Sequence, residues 1–371
     1  MSDITIPVNI PGANYKVIIS PGLLERIGSI ISEVAPSDKA LLAVDKQITN
    51  THGKLAQSSL RGAGFETTII ELVANEKYKT LETAQSVYQT MLAASLDRKS
   101  PVVALGGGII GDTAGLAAAT YMRGVPLIQV PTTLLAMVDA AIGGKTGVNF
   151  PLPTGGLGKN LIGAFWQPRA VLIDPLTLNS LSARNFRCGL GECVKYALIA
   201  DANLLDFLSS NAQQILDLDP ELITELIERC VRIKVRIVEQ DEREAGLRAL
   251  LNLGHTFAHA IESIHELDIA HGEAVSIGLV AAMKCAIETQ RQSQQDLEKL
   301  TKVLKTLGLP ICLENPVDEQ RLLDAMRFDK KTSQGKLRLV LPCGPGQAEI
   351  VDDLPIEIIL RAWDSVGAKA V

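Results

Sequence analysis

Pro101-Val-Val-Ala-Leu-Gly106-Gly-Gly108-Ile-Ile-Gly111-Asp112 decides how this chain is read. A β-branched run ends in G-x-G-x-x-G, and an Ala-rich helical stretch, 112–121, follows at once. Glycines there let a backbone approach a pyrophosphate, and the helix N-terminus offers free N–H groups and a positive dipole end. The stretch is read as strand, nucleotide-binding turn and helix. Working outward, 16–19, 40–44, 67–72, 127–130 and 171–173 read as further strands, with helical periodicity over 22–33 and 81–96. Strand and helix in alternation predict a mostly parallel, doubly wound sheet. After Pro175 the texture changes to long helical patterns at 190–200, 221–239, 273–290, 295–307 and 355–366, with one strand at 336–341. The expected fold is therefore a Rossmann-like α/β N-terminal domain, residues 1–180, and a mainly α-helical C-terminal domain, residues 181–371.

Composition agrees with that reading. The 371 residues are 47% hydrophobic and 21% charged, enough apolar material for two cores and too ordered a mixture for a disordered chain. A formal net charge of -6 argues against nucleic-acid or anionic-membrane partners, since no global positive field holds them. The most apolar window, 102–122, carries Asp112 and five glycines, which suits a nucleotide loop and not a membrane span. No basic region followed by an apolar run opens the chain, so no secretion signal is expected. Six cysteines without a C-x-x-C pair suit a reducing cytoplasm.

Four constellations carry chemistry. The acid that binds a ribose about 20 residues after such a turn is missing, because 113–138 contains no Asp or Glu; Asp45 and Glu76 are substitutes or ordinary surface acids. Next comes a run of loops: Pro131-Thr132-Thr133, Asp139, Gly143-Gly-Lys145-Thr-Gly147 and Gly158-Lys159-Asn160. P-loop spacing fails at Asp139, yet glycines beside two lysines suit an anionic ligand; solvated loop lysines are the plain alternative. Third, four of the five histidines lie within 255–271. His255 and His259 share a helix face, and with a carboxylate such as Glu192 they form a His2Glu donor set, or are polar residues on a helix end. Last, Lys234 interrupts an apolar stripe of Ile223, Ile227, Cys230 and Ile237, so it meets an anion there or snorkels to water.

Together these motifs resemble the 3-dehydroquinate synthase family of sugar phosphate cyclases. The likeness is carried by G-G-G-x-x-G-D, Arg123-Gly, Q-V-P-T-T-L-L-A-x-V-D-x-x-x-G-G-K-T-G, G-K-N-x-I-G, Glu192-x-x-Lys195, D-E-R-E-x-G-L-R-x-x-L-N-x-G-H-T-x-x-H, H-G-E-A-V and Asp329-Lys-Lys. The resemblance implies an NAD-binding N-terminal domain, a helical C-terminal domain and a cytoplasmic homodimer with active sites in the interdomain clefts. It implies Glu192, His255 and His271 as ligands of zinc or cobalt, and moves His259 from ligand to a residue that supports the ligands or acts as acid/base. NAD would contact Asp45, Glu76, Lys79, the turn with Gly108, Gly111 and Asp112, then Thr132, Thr133, Asp139, Lys145, Lys159, Thr177 and Ser180. The substrate implied is 3-deoxy-D-arabino-heptulosonate 7-phosphate, held by Lys145, Asn160, Lys195, Lys234, Arg248, Asn252 and a late basic residue, Arg338 ahead of Lys330 and Lys331, with Arg123 from the neighbouring subunit. Lys195, Lys234, Asn252 and His259 are the catalytic candidates.

The implied reaction oxidises a ring alcohol, eliminates phosphate, re-reduces the ketone and closes a carbocycle. The chain departs from the family pattern in a longer 150–158 loop, in Leu181-Ser182-Ala-Arg-Asn185, and in Ser180 for the usual Thr. The alternatives are a sister cyclase using sedoheptulose 7-phosphate, a metal-dependent polyol dehydrogenase, and a non-catalytic NAD or sugar-phosphate binder.

Overall fold

The computed structural model describes residues 3–153, 157–329 and 337–369. Two compact units emerge: the chain up to Leu181 together with Ile223–Arg243, and Ser182–Leu222 together with the chain from Glu244 onward.

The first unit is built on a seven-stranded sheet. Its strands are β1 (Ile4–Val8), β2 (Tyr15–Ile19), β3 (Lys39–Asp45), β4 (Glu66–Leu72), β5 (Val102–Gly106), β6 (Leu127–Pro131) and, after a separate hairpin, β9 (Ala170–Ile173). That hairpin pairs β7 (Lys145–Pro151) with β8 (Leu157–Phe165), with a bulge between Val148 and Phe150. The sheet order is β1-β2-β9-β6-β5-β3-β4, parallel except for β1 against β2. Helices α1 (Ile27–Val34), α2 (Lys54–Gly62), α3 (Leu81–Ala93) and α4 (Gly108–Thr120) cover it.

Period-2 alternation explains why both faces are covered. Leu42 and Val44 of β3, with Val103 and Leu105 of β5, pack against Ile27, Ile31, Ala56 and Leu60 of α1 and α2. Their neighbours Leu41, Ala43, Val102 and Ala104 pack on the other face against Val87, Met91, Ala114 and Ala117 of α3 and α4. Strand order reverses between β3 and β5, and ligands of open α/β sheets bind beside the carboxyl ends at such a point.

The second unit is mostly helical: α5 (Ala183–Ala200), α6 (Ala202–Ser210), α7 (Ala212–Leu216), then α9 (His255–Glu262), α10 (His271–Glu288), α11 (Gln294–Thr306), α12 (Glu319–Asp329) and α13 (Ile356–Ser365). The intervening α8 (Pro220–Gln240) groups from Ile223 onward with the sheet unit, although its sequence surroundings are helical. Phe257 and Trp363 stack edge to face at 5.0 Å in the helical core.

Three expectations are corrected. The glycine-rich loops at 143–147 and 158–160 belong largely to the β7–β8 hairpin: closely spaced glycines hid a pair of strands, and those at 147 and 163 let the two backbones approach so closely that a Cβ on Gly163 would sit 2.2 Å from the Thr146 carbonyl oxygen. The late half holds more than one strand, since β11 (Arg338–Pro342) pairs with β12 (Ala348–Asp352) and the short β10 (Val317–Asp318) pairs with β13 (Ala368–Lys369). Two-residue strands and a five-residue edge carry too little alternation to read. Helix α2 likewise escaped, because its nine residues give only two buried positions, Ala56 and Leu60. Among the described residues, no helix is long and apolar enough to cross a membrane.

Candidate functional site

In the second unit, α5 brings Glu192 and Lys195 to full burial, at 0% and 1% side-chain exposure, joined as an ion pair. Gly191 and Gly272 bring α10 close beside them: a Cβ on Gly191 would stand 2.7 Å from the Gly272 carbonyl oxygen, and one on Gly272 2.1 Å from that of Cys188. These are backbone-to-backbone contacts that only glycine permits. Arg184 of α5 donates from Nε and Nη2 to the Glu273 carboxylate, both at 2.8 Å, and Glu273 accepts the Ala270 N–H at 2.8 Å, capping α10. His271, the first residue of α10, is thereby carried to Glu192.

Donor atoms of Glu192, His255 and His271 all lie within 4.8 Å of one another. His255 Nε2 is 3.4 Å and His271 Nε2 3.3 Å from Glu192 Oε1. Both Glu192 oxygens are buried: Oε2 is ion-paired with Lys195, and Oε1 faces the two imidazoles. One carboxylate and two imidazoles, converging from the helix that carries Lys195 and from two others, fit a zinc-type divalent cation. Burial alone would raise the Glu192 carboxyl; Lys195, His255 and His271 outweigh it and hold the group well below the usual carboxylate range. Burial pushes His255 down. It opposes the charge of His271 as well, yet the Glu192 and Glu262 carboxylates pull that imidazole up to about 10.

His259, one turn after His255, is exposed and stands outside this trio, its ring centroid 5.7 Å from that of His255. The helix-face pairing of His255 with His259 as ligands is corrected accordingly: the i, i+4 period put two rings on one helix, while the donor that converges comes from another helix. In the same unit Arg248 is buried, and Asn252 donates to Glu244 Oε1 at 2.9 Å. Arg338 is the exposed first residue of the otherwise buried β11, opposite Asp352, 3.7 Å away. Lys330 and Lys331 lie outside the described residues.

In the first unit Asp45, Gly108, Thr132 and Thr133 stand at the carboxyl ends of β3, β5 and β6. Asp45 ends β3 directly beside Gly106, where a Cβ would be 3.3 Å from the Asp45 Cβ and 2.6 Å from the Ile110 side chain. Asp45 thus flanks the glycine turn from the neighbouring strand, where the acid absent downstream would stand; burial raises its carboxyl, against the Gln47 N–H that it accepts. Thr132 donates its N–H to the Gly106 carbonyl at 3.0 Å, and Thr133 packs against Gly107. A Cβ on Gly111 would lie 2.7 Å from Gln129 Oε1, whose amide nitrogen donates to the Gly111 carbonyl.

Lys79, buried, donates to Asp112 Oδ2 at 2.6 Å and to Asn160 Oδ1. Asn149 completes this knot: its amide donates to Glu76 Oε2 at 2.6 Å, and its carbonyl accepts the Asn160 N–H at 2.9 Å. Lys234 is buried and ion-paired with Asp139, so it does meet an acid on the core face of α8. Ser180 hydrogen-bonds His52 Nε2 at 2.7 Å, and the Thr177 hydroxyl donates to the Asp174 carbonyl. Lys145 and Lys159 are exposed on β7 and β8. Arg123 is exposed in the turn after α4, with φ 68°.

Four partners escaped the sequence reading: His52, Asn149, Glu244 and Glu262. Glu262 left a signal, since it follows His255 by seven residues on one helix face. The others left none that spacing reveals.

A doubly wound sheet with a glycine turn at its switch point, followed by a helical unit, is a fold shared by sugar phosphate cyclases and iron-containing alcohol dehydrogenases, and the family models place this chain with the cyclases. Residues 69–188 match the family description "3-dehydroquinate synthase N-terminal" and residues 189–332 "3-dehydroquinate synthase C-terminal". A 3-dehydroquinate synthase of Desulforamulus reducens is 44% identical, over 94% of this chain and 96% of that one. The chain belongs to the 3-dehydroquinate synthase family. Among solved structures, 2-epi-5-epi-valiolone synthase of Streptomyces hygroscopicus, with NAD+ and Zn2+ bound, superposes with TM-score 0.86 at 30% identity, covering 95% of this chain and 96% of that one. A 2-deoxy-scyllo-inosose synthase, complexed with carbaglucose-6-phosphate, NAD+ and Co2+, shares the fold at TM-score 0.84 and 24% identity, covering 98% of this chain and all of that one.

Proposed function

We propose that this protein is a 3-dehydroquinate synthase, converting 3-deoxy-D-arabino-heptulosonate 7-phosphate to 3-dehydroquinate and phosphate with NAD and a divalent zinc or cobalt ion. The observation that carries this reading is the convergence of Glu192, His255 and His271 beside the buried Lys195, in a chain 44% identical to a relative of that name over nearly its whole length.

The sheet unit is the NAD-binding domain and the helical unit the metal-binding one. NAD would lie over the Gly106–Gly108 turn, with Asp45 and the Glu76–Lys79–Asp112 knot beside it and Thr132, Thr133, Lys159, Thr177 and Ser180 around it. When bound, the ion supplies Lewis acidity to a ring hydroxyl and NAD+ accepts and returns a hydride. Lys195 holds the Glu192 carboxylate in its donor orientation. Lys145, Lys234, Arg248 and Arg338 supply positive charge as phosphate departs, most strongly from Lys234 and Arg248, which are buried. Asn160 and Asn252 orient the sugar, and His259 moves a proton. The protein works in the cytoplasm as a homodimer in which Arg123 of each subunit serves the site of the other.

Purified protein with NAD+ and Zn2+ or Co2+ is expected to release phosphate from the heptulosonate phosphate without accumulating NADH. Net NADH would point to a dehydrogenase, and turnover of sedoheptulose 7-phosphate alone to a sister cyclase; either result overturns the reading.

A further inference from the structure

We propose that Glu262 is a positioning residue of the metal centre, its carboxylate holding the Nδ1 proton of His271 so that Nε2 points to the ion. The proposal rests on the metal-binding reading above. An imidazole gives a metal one nitrogen and keeps its proton on the other, so whatever accepts that proton sets the tautomer and the plane of the ring.

The two histidines are built alike. In His255, Nε2 faces Glu192 Oε1 at 3.4 Å and Nδ1 faces the Leu253 carbonyl oxygen at 3.1 Å. In His271, Nε2 faces that same Glu192 oxygen at 3.3 Å and Nδ1 faces Glu262 Oε2 at 3.4 Å. Both rings turn the same nitrogen inward and present the other to an oxygen. Those oxygens differ in charge. Leu253 offers a neutral carbonyl, whereas Glu262 offers a carboxylate, which makes His271 the more electron-rich donor.

Location explains why His271 receives the stronger partner. Its side chain is 35% exposed at the start of α10, against 11% for His255 inside the unit. Packing alone restrains His271 less, so a hydrogen-bond acceptor has more to fix. Glu262 is the last residue of α9. Seven residues after His255 it returns to that ligand's face of the helix. One helix thus supplies one ligand and orients the other. At 11% exposure the carboxylate is little screened by water.

The test is metal affinity of the full chain. Wild type, Glu262→Gln, Glu262→Ala and His271→Ala are stripped of metal and titrated with Zn2+ against a chromophoric chelator. Glu262→Gln keeps an acceptor and loses the charge, so affinity should fall about 10-fold; Glu262→Ala loses both and should fall by up to about 100-fold. The metal-free Gln variant should melt where metal-free wild type does, and its Co2+ absorption spectrum should shift, which a merely structural role would not produce. Wild-type affinity and an unchanged Co2+ spectrum in the Gln variant overturn the proposal, whether or not the Ala variant folds. If wild type itself binds no ion, the metal reading falls and the proposal with it; the His271→Ala control separates the two failures.

Discussion

Lys195 is an ammonium on a largely buried helix, three residues from an acid with no exposure. Removing one member of such a pair leaves a charge in a medium that solvates it poorly, and the cost is about 3–5 kcal/mol. Glu192→Ala is therefore expected to lower the urea-unfolding free energy of the metal-free protein by about that amount. Glu192→Leu combined with Lys195→Met, which removes both charges, should cost far less. A small loss in the single variant would show that Glu192 does not offset the lysine. At this scale the sequence is informative about residue types and silent about their neighbours. Asn149 is one unremarkable asparagine in the sequence, yet in the fold it ties the Glu76 turn to β8.

At the scale of elements, close approach decides. Helices α5 and α10 meet through Gly272, where a Cβ would overlap the Cys188 carbonyl oxygen at 2.1 Å. Gly28 plays the same part in the other unit, where a Cβ would lie 2.1 Å from the Ser59 carbonyl oxygen as α1 packs on α2. Overpacking of this kind costs about 1–3 kcal/mol. Both Gly272→Ala and Gly28→Ala should lower the melting temperature, but only Gly272→Ala should also weaken Zn2+ binding, since it shifts Glu192 against His271. Equal Zn2+ affinity in the two variants would show that this helix contact does not set the site. Six of the seven sheet strands were legible because each is a short apolar run punctuated by Gly, Pro or Asp; β1 was not read. The β7–β8 hairpin was hidden, because its glycines serve close backbone packing and so resemble a loop.

For the whole molecule, the proposed function assigns the metal to the helical unit and NAD to the sheet unit, and a ligand that binds only the folded state stabilises by about 2.7 kcal/mol at one hundred times its dissociation constant. Thermal melts with and without each ligand should therefore separate the sites. His271→Ala should lose the rise caused by Zn2+ and keep the rise caused by NAD+. Asp45→Ala should do the reverse. A variant that abolished both rises would show the two ligand sets to be one cooperative site.

Local order along the chain by itself determined the alternation of strand and helix, the glycine turn that ends β5, the change to helices after Pro175, and the residue types from which a metal and phosphate chemistry is built. Periodicity and turn preference act over a few residues, so they are written in neighbouring letters. Only the tertiary structure decided that Glu192, His255 and His271 converge, that Lys234 finds Asp139 across 95 positions, and that α8 belongs with the sheet. Those outcomes depend on helix packing at glycine contacts and on charges that must find partners once buried, and neither has a period along the chain.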